Sequence, residues 1–533
     1  MTSAPAPEMK RTLSLTGLTI NAMALIAPGA FLWTTFQSQT IQANGASTTA
    51  MDMVPGLLFA LVLAFLTAWS YGELSNLYPA AGAGSSYYFA EAAFLEREEA
   101  IHYKFARLAK FVVGWISHLY YWIYPGIMVA FTGILAVYIL GLFGITLDTP
   151  FEIALVAVFA ALTGLIAFRG ISGSTLTAVV INVVQLTALL AFSVLAVIFR
   201  LSHPELSYAH KDVLSVVLPH DLTNVLFQGT IAILLLVGFE SVTALGAEAH
   251  NPKRDVRRAV LLSLAIQGLF AYLIEYVAAN FAVSSALTGT VTDATGKATA
   301  VTGYGAAAAS GAPIGDLVKL IGDTMLGGTG TVLALILAAT VLVALIGTTL
   351  ACLNTGVRIT YVMGRDREVP GLLGLLHGRY ATPHFGILVL AVVSGVLGAY
   401  GILSSDNLLQ IILASNVGTF LVYGMTNFLV MIAFWARPER SALKHILVPA
   451  LGLLANVGML LTVLFMSISS GGSTQPDTLI AVGIVAVWIV VGAAWLTLNS
   501  RATQTPILVR RAPVELATVG DRAAASERIE AAG

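Results

Sequence analysis

The sequence predicts an all-α polytopic membrane protein with twelve transmembrane helices. Of its 533 residues, 57% are hydrophobic and only 10% are charged, whereas a soluble domain has about 25% charged residues. Apolar stretches of about 20 residues, the length that crosses a bilayer, recur along the chain. Two of these stretches are broken at their middles, which is typical of membrane helices that line a cavity.

The first predicted span follows Lys10-Arg11 directly. It is too long for the apolar part of a signal peptide, about 7–15 residues, so we predict that it crosses the membrane. The single cysteine, Cys352, excludes an internal disulfide. The predicted spans are 14–38, 54–77, 111–140, 151–168, 174–199, 223–248, 259–284, 330–357, 384–402, 407–434, 445–468 and 477–498.

The distribution of basic residues predicts the orientation. If the N-terminus is cytoplasmic, all but four of the 27 Lys and Arg residues fall in cytoplasmic segments. The exceptions are Arg200, Lys211, Lys297 and Lys319. Cytoplasmic loops of membrane proteins carry such an excess, so we predict a multi-pass protein of the cell (plasma or inner) membrane with both termini cytoplasmic. The net charge of −1 gives no reason to expect a nucleic-acid partner.

Two connections are unusual. Residues 285–329 form a long outer loop rich in Gly, Ala and Thr, with a predicted short helix around Ile314–Met325. Residues 91–110 have helical periodicity and mixed charge, which favours a solvated helix at the membrane interface.

The first broken span is interrupted by Ala27-Pro28-Gly29. Proline lacks an N–H group and clashes with the preceding helical turn, so the helix is expected to restart there. The backbone N–H groups of Gly29 and Ala30 then point to a carboxylate. The alternative interpretation is an ordinary proline kink.

The second broken span is interrupted at 237–241, which reads Val-Gly-Phe-Glu-Ser. The unwound carbonyls around Val237–Phe239 suit an ammonium group. Two breaks in corresponding halves of the chain therefore predict a site for an amino acid zwitterion or an amine.

Glu240 is a carboxylic acid in the middle of the second broken span. An ionised carboxylate near the bilayer centre costs roughly 2.5–3.5 kcal/mol on insertion scales. Because a carboxyl group removed from water tends to hold a proton, Glu240 is predicted to take up and release a proton. The alternative is a structural carboxyl group that ties the broken helix to a neighbour.

Other polar residues lie within predicted spans. His118, Tyr121 and Tyr124 share roughly one face of span three, where they line a pathway or form interhelical hydrogen bonds. Glu275 lies towards the outer end of span seven, where it is a candidate for an outer vestibule.

Thr348 and Thr349 of span eight are candidates for a cation site together with carbonyls of span one, although small hydroxyl residues more often serve packing. The sequence has no HExxH, no GxSxG and no Cys/His cluster with metal-ligand spacing. Residues 289–298 fail the spacing of a phosphate-binding loop. We therefore expect no enzyme activity, no metal and no cofactor.

Four segments have a recognisable pattern. They are the interrupted Ala-Pro-Gly of span one, YGELSNLYPAAGAG at 71–84, GFE at 238–240 with Glu248 and NPKR at 251–254, and GRDREVP at 364–370 followed by Thr382-Pro383. In these segments the chain resembles the amino acid–polyamine–organocation (APC) superfamily of secondary transporters. The resemblance covers about residues 12–435.

The resemblance implies two inverted five-helix repeats, spans 1–5 and 6–10, with broken helices 1 and 6 around a substrate site at mid-membrane. The implied domains are an N-terminal tail at 1–11, the transporter core at 12–435, two peripheral spans at 436–498 and a C-terminal tail at 499–533. The implied substrate-binding residues, through their backbone, are Ala27, Gly29, Ala30, Val237 and Phe239, with Gly238 between the last two. By similarity, Glu240 matches an acidic position implicated in proton sensing in some members.

Two positions depart from the family pattern. Many members have an aromatic residue four positions before the Gly of G-F-E, where this chain has Leu234. Some proton-coupled members have a lysine in span five that replaces a sodium ion, but 174–199 contains no Lys or Arg.

Together these patterns predict a secondary transporter of an amino acid or related amine that works by alternating access. Proton coupling is preferred, then exchange, then sodium coupling. The alternative from another class is a membrane receptor or sensor on the same fold, and a membrane enzyme comes third. The expected partners are the substrate, a coupling proton or sodium ion and the lipid bilayer.

Overall fold

The computed structural model describes residues 13–26, 28–40, 49–79, 84–95, 103–170, 175–292, 297–469 and 474–508. These residues are almost entirely helical. The α-helices are α1 (Leu15–Ile26), α2 (Pro28–Thr40), α3 (Met53–Leu77), α4 (Ser86–Leu95), α5 (Ala106–Leu142), α6 (Thr149–Phe168), α7 (Thr175–Ser202), α8 (Val213–Val217), α9 (Leu222–Ala232), α10 (Pro252–Val277), α11 (Tyr304–Ala309), α12 (Pro313–Met325), α13 (Gly330–Arg365), α14 (His384–Ile402), α15 (Ser405–Phe434), α16 (Val448–Ser469) and α17 (Thr474–Thr503).

Shorter helical segments flank several of them. The 3₁₀ segments are Ala50–Asp52, Tyr103–Phe105, Ile233–Leu235, Phe239–Glu248 and Gly371–Gly374, and the π-helical segments are Ala278–Ala282 and Ala442–Leu447. The strands β1 (Thr288–Thr292) and β2 (Ala298–Thr302) form an antiparallel pair in which Thr288 faces Thr302 and Thr292 faces Ala298.

Within the described ranges, ten helices are long and apolar enough to cross a membrane, and one bent helix pair would make an eleventh. A polytopic helical membrane protein is therefore confirmed. The bent pair corresponds to the predicted sixth span, whereas α1 and α2 are each shorter than a full span. The count of twelve spans stays a prediction.

Several helices extend beyond their predicted bounds. Helix α10 begins at Pro252, before the predicted 259, and α13 continues to Arg365, beyond the predicted 357. Charged residues at helix ends lower the local hydropathy without interrupting the backbone hydrogen bonds, since their long side chains reach the interface. The predicted span 384–402 coincides with α14.

The prediction of a solvated interfacial helix over 91–110 is wrong for the residues that the structure describes. Residues 91–95 complete helix α4, which packs against α5 and α15 and buries side chains such as Phe89 and Phe94. Residues 106–110 are the first turn of α5. Of the described charged residues in this segment, Lys110 pairs with Glu91 and Asp366, whereas Lys104 is exposed. Residues 96–102 lie outside the described residues.

The long connection 285–329 contains the predicted short helix, observed as α12. It also contains the β1–β2 hairpin and α11, which the sequence analysis missed. We call the side of the molecule that carries these elements the hairpin face. The opposite side, which carries Lys253, Arg254, Arg358 and Arg365, is called the basic face.

The core lies around the broken spans, and the apolar residues of the surrounding helices face outwards. Helices α6, α7, α16 and α17 expose large apolar side chains, for example Leu162, Val183, Leu454 and Val490. Apolar surface of this extent is expected of helices that contact lipid, because hydrocarbon is as apolar as leucine.

Candidate functional site

The first break lies between α1, which ends at Ile26, and α2, which begins at Pro28. Proline suits the first position of a helix, where its missing N–H group has no intrahelical partner to lose. Gly29 and Ala30 therefore fall in the first turn of α2, as the sequence predicts, and the N–H groups of a first turn lack intrahelical acceptors. Ala27 lies outside the described residues.

The second break lies at Leu236–Gly238, slightly before the predicted 237–241. Helix α9 continues into the 3₁₀ turn Ile233–Leu235, and after the break the chain forms the 3₁₀ helix Phe239–Glu248, with a bend of 43° between the two parts. Gly238 has a φ of +129°, a value that side-chain-bearing residues rarely adopt.

The two breaks meet in the folded chain. A Cβ atom on Gly238 would lie 2.5 Å from Cδ2 of Leu25, near the end of α1. Val237, Gly238, Phe239 and Leu25 are all buried. Backbone from one broken span thus directly contacts a side chain of the other, as a shared site between them requires.

The side chain of Glu240 is buried and receives hydrogen bonds on both oxygens. Three tyrosine hydroxyls donate to it, Tyr120 (3.1 Å) and Tyr121 (3.2 Å) to Oε1 and Tyr423 (2.9 Å) to Oε2. The backbone N–H of Gly238 also donates to Oε2, at 3.0 Å. The three tyrosines link the second break to α5 and α15, and all four donors provide the hydrogen bonds that a carboxyl group in the membrane needs.

Aromatic rings surround this carboxyl group. Tyr71 of α3 makes edge-to-face contacts with Phe239, at a centroid distance of 6.1 Å, and with Tyr423, at 6.0 Å. Tyr124 donates from its hydroxyl to the carbonyl oxygen of Leu234 at 3.1 Å, and so bonds to a carbonyl beside the break. Sequence reasoning left Tyr120, Tyr423 and Tyr71 without a role, and the only available signal was their polarity inside apolar spans.

His118 does not contact Glu240. Its Nε2 lies 3.0 Å from the hydroxyl of Thr360 on α13, and its ring packs against Trp122 at a centroid distance of 5.0 Å. Of the two interpretations of this histidine, the structure supports the interhelical hydrogen bond.

The two threonines proposed for a cation site differ in what they contact. Thr348 donates to the carbonyl of Ala24 in α1 at 3.0 Å, whereas Thr349 donates to Leu345 in its own helix. The neighbouring carbonyl of Met23 accepts from the side-chain amide of Gln267 at 3.3 Å. Two carbonyls of α1 near the break are therefore occupied by protein donors.

Glu275 is fully buried, with no exposed surface, so the expectation that it faces an open vestibule is wrong. Its Oε1 accepts from the side-chain amide of Gln39 on α2 at 3.1 Å. Helix α2 packs against α10 and covers Glu275. The position of Glu275 along its own span, taken alone, lies near the membrane surface.

The basic face is closed by contacts between the ends of the two broken spans. The N–H of Leu13, just before α1, donates to the carbonyl of Glu248 at 2.9 Å, and the N–H of His250 donates to the carbonyl of Leu13 at 2.9 Å. Arg358 of α13 lies 3.5 Å from the Glu248 carboxylate. The N-terminal end of α1 and the C-terminal end of the 3₁₀ helix are therefore held together.

The hairpin face contains a vestibule of about 1280 Å³. Its lining includes Gln37 of α2, Met51, Tyr208, Tyr304 of α11 and Ser405, together with residues of the hairpin. The opening on this face contrasts with the closed basic face.

Two interrupted helices that meet at a buried, hydrogen-bonded carboxyl group inside a multi-pass helical bundle define a membrane transport protein. The chain belongs to the amino acid permease family, whose model matches residues 17–504. This family is part of the APC superfamily, so the resemblance predicted from the sequence is confirmed. The chain is a transporter and not an enzyme.

Relatives of known activity are similar over most of their length. A methylthioribose transporter of Bacillus subtilis is 24% identical over 82% of this chain and 84% of its own length. A branched-chain amino acid permease of the same species is 24% identical over 93% of this chain and 94% of its own. A low-affinity putrescine importer of Escherichia coli is 24% identical, over 81% and 83%.

Proposed function

We propose that this transporter carries an amino acid or a related amine across the cell membrane by alternating access, with Glu240 as the group that couples transport to protons. The observation that carries the proposal is the contact between the two breaks, where Gly238 lies against Leu25 and Glu240 lies two residues further along. The vestibule on one face and the closed contacts on the other correspond to the asymmetry that alternating access requires.

The proposed architecture has twelve spans, including the first broken span built from α1 and α2. Residues 12–435 form a core of two inverted five-helix repeats, 436–498 supply the peripheral spans, and 1–11 and 499–533 are tails. The broken span α1–α2 corresponds to the broken span made of α9 and the 3₁₀ helix Phe239–Glu248. Both are interrupted at mid-length, which supports the repeat.

The proposed site binds its substrate through backbone groups. Ala27, Gly29 and Ala30 would hold a carboxylate, and Val237 with Phe239 would hold an amino group. The printed substrates of the relatives, a branched-chain amino acid and putrescine, both carry an amino group, which supports this class. Methylthioribose, the substrate of another relative, widens the range of ligands to test.

Proton coupling is preferred to sodium coupling for a structural reason. The carbonyls of Met23 and Ala24, which would contribute to a sodium site beside the first break, accept hydrogen bonds from Gln267 and Thr348. Each of these carbonyl oxygens therefore has only one lone pair left for a sodium ion. Exchange of one substrate for another, without a coupling ion, is the second candidate.

Uptake by purified protein in liposomes tests the function directly. We expect accumulation of at least one amino acid or amine when a proton gradient is imposed. The amount accumulated should not fall when external sodium is replaced by potassium. Candidate substrates are first selected by thermal shift, because a ligand that binds only the folded state raises its apparent stability. Ligand binding without any uptake or exchange would instead indicate a receptor or sensor.

The hairpin face is proposed to be extracellular, because the basic face carries the excess of Lys and Arg. In a Cys352→Ser background, Lys253→Cys should not react with an impermeant thiol reagent added to intact cells. Lys319→Cys, on α12 of the hairpin face, is the matched control and should react. The reverse pattern of labelling would overturn the orientation.

A further inference from the structure

We propose that Glu275, with Gln39 and Gln228, forms a second binding site, specific for a protonated primary amine, between the hairpin-face vestibule and the central site. This inference extends the proposed function and rests on its assignment of an amine-bearing substrate. The three residues come from three different helices, α10, α2 and α9.

The three side chains belong to one hydrogen-bonded network. The amide of Gln39 donates to Glu275 Oε1 at 3.1 Å, and the amide of Gln228 donates to the backbone carbonyl of Gln39 at 2.8 Å. Each of the three side chains has no exposed surface. The site is therefore built into the core rather than formed by surface side chains.

The network has an excess of acceptors. Glu275 Oε2, Gln39 Oε1 and Gln228 Oε1 are buried and receive no hydrogen bond from the residues that the structure describes. Buried acceptors without a donor cost free energy, and the cost is larger for a charged group. A ligand that supplies donors would remove this cost.

A primary ammonium group has the matching chemistry. It offers three N–H donors, no acceptor and one positive charge, against two amide oxygens and one carboxylate oxygen. Glu275 makes no ion pair with the described residues, and Arg200, at the end of α7, donates to Asn280 and to backbone carbonyls of 210 and 211. The carboxyl group therefore has no cation of its own.

Glu240 differs from Glu275 in this respect. Both oxygens of Glu240 already accept hydrogen bonds, four in total from three tyrosines and Gly238. An ammonium group would have to displace those donors. Of Glu240 and Glu275, only Glu275 lacks a donor on one oxygen.

The network lies at the vestibule end of α2. Gln37 of α2 lines the vestibule, and Gln39 follows it at the same end of the helix, ten residues after Gly29 at the first break, or about 15 Å along the helix axis. Tyr304 also lines the vestibule, and its pKa is raised by burial and, in addition, by the negative charge of Glu275. Its hydroxyl lies 2.9 Å from Nε2 of His210, whose other ring nitrogen faces the carbonyl of Ser215. The proposed amine site therefore lies nearer to the vestibule than the central break does.

The test is protection of a thiol by a defined amine. The full-length protein carries Cys352→Ser and Gln37→Cys, and the rate of maleimide labelling at position 37 is measured with increasing 1,4-diaminobutane. We expect saturable protection by the diamine and none by 1,4-butanediol, which has the same length but no charge. Equal protection by the diol would overturn an ammonium site.

Variants at Glu275 complete the test. Glu275→Gln should raise the half-protecting concentration about thirtyfold or more, which corresponds to about 2 kcal/mol, the lower end of the cost of removing one partner of a buried, hydrogen-bonded charge pair. Glu275→Asp keeps the charge and should retain part of the protection. Asp323→Asn, an exposed carboxylate on the same face, is the matched control and should change nothing.

The outcomes separate this site from the proposed function. Unchanged protection in a folded Glu275→Gln protein would overturn the amine site and leave transport at the central site untouched. If Glu275→Gln does not fold, two other results would overturn the site: no protection by the diamine in the parent protein, or the same half-protecting concentration in Glu275→Asp as in the parent protein. Protection without uptake in liposomes would overturn the transport proposal alone.

Discussion

Gly238→Val is expected to abolish substrate binding while the protein still inserts and folds. Valine would have to adopt a φ of +129°, and such strain costs about 1–3 kcal/mol. Its Cβ would also lie 2.5 Å from Leu25 Cδ2, and overpacking costs a further ~1–3 kcal/mol. Both costs fall where the two breaks meet, so we expect affinity to fall at least about a hundredfold. The measurement is ligand-induced thermal stabilisation of purified protein.

Two further variants define what this result means. Gly246→Ala lies in the same 3₁₀ helix but has room for a Cβ, with the nearest atoms at 3.8 Å, and should bind like the parent protein. Gly29→Val places bulk at the first break and should also abolish binding, because close approach to that backbone needs glycine. Parent-like affinity in both valine variants would remove the breaks as the substrate site.

Glu240→Gln is expected to leave substrate binding largely intact and to abolish accumulation driven by a proton gradient. Glutamine has nearly the same size but cannot take up or release a proton, and the substrate is proposed to bind through the backbone. The response of uptake to external pH across about pH 5–8 should flatten, while exchange of substrate across the membrane persists. The measurement is uptake of radiolabelled substrate in liposomes with and without an imposed gradient.

Tyr423→Phe separates proton coupling from a structural role. It removes the 2.9 Å hydrogen bond to Glu240 Oε2 but keeps the carboxyl group, and interhelical hydrogen bonds in membranes contribute about 0.6–1.7 kcal/mol. If Glu240 only ties the second break to α5 and α15, both variants should lose similar stability and keep the pH response. An unchanged pH profile in Glu240→Gln would exclude it as the coupling group.

Much of the candidate site follows from local sequence. Pro28 and Gly238 identified the two broken helices, because a missing N–H group and a missing Cβ act on the backbone at their own positions. The position of the second break was nevertheless misjudged, since the 3₁₀ turn Ile233–Leu235 unwinds the helix before the glycine. Glu240 was identified by its charge in an apolar span, which is a local property as well.

The partners of these residues did not follow from the sequence. Tyr423 is separated from Glu240 by 183 residues, and Gln39 from Glu275 by 236. The pattern along one helix specifies which face is polar, but it does not specify which distant helix packs against that face. For the same reason His118 was grouped with Tyr124, although the folded chain directs His118 to Thr360 on α13.

The sequence by itself determined that this is a multi-pass helical membrane transporter with two interrupted helices. Hydropathy over about 20 residues and the backbone chemistry of proline and glycine predict the spans and the breaks, and the resemblance to the APC superfamily implies transport. Only the tertiary structure decided that Glu240 is saturated with tyrosine donors and that Glu275 is buried with an unpaired oxygen. Both depend on how helices from distant parts of the chain pack, because burial and hydrogen bonding inside a membrane are satisfied between helices rather than along one.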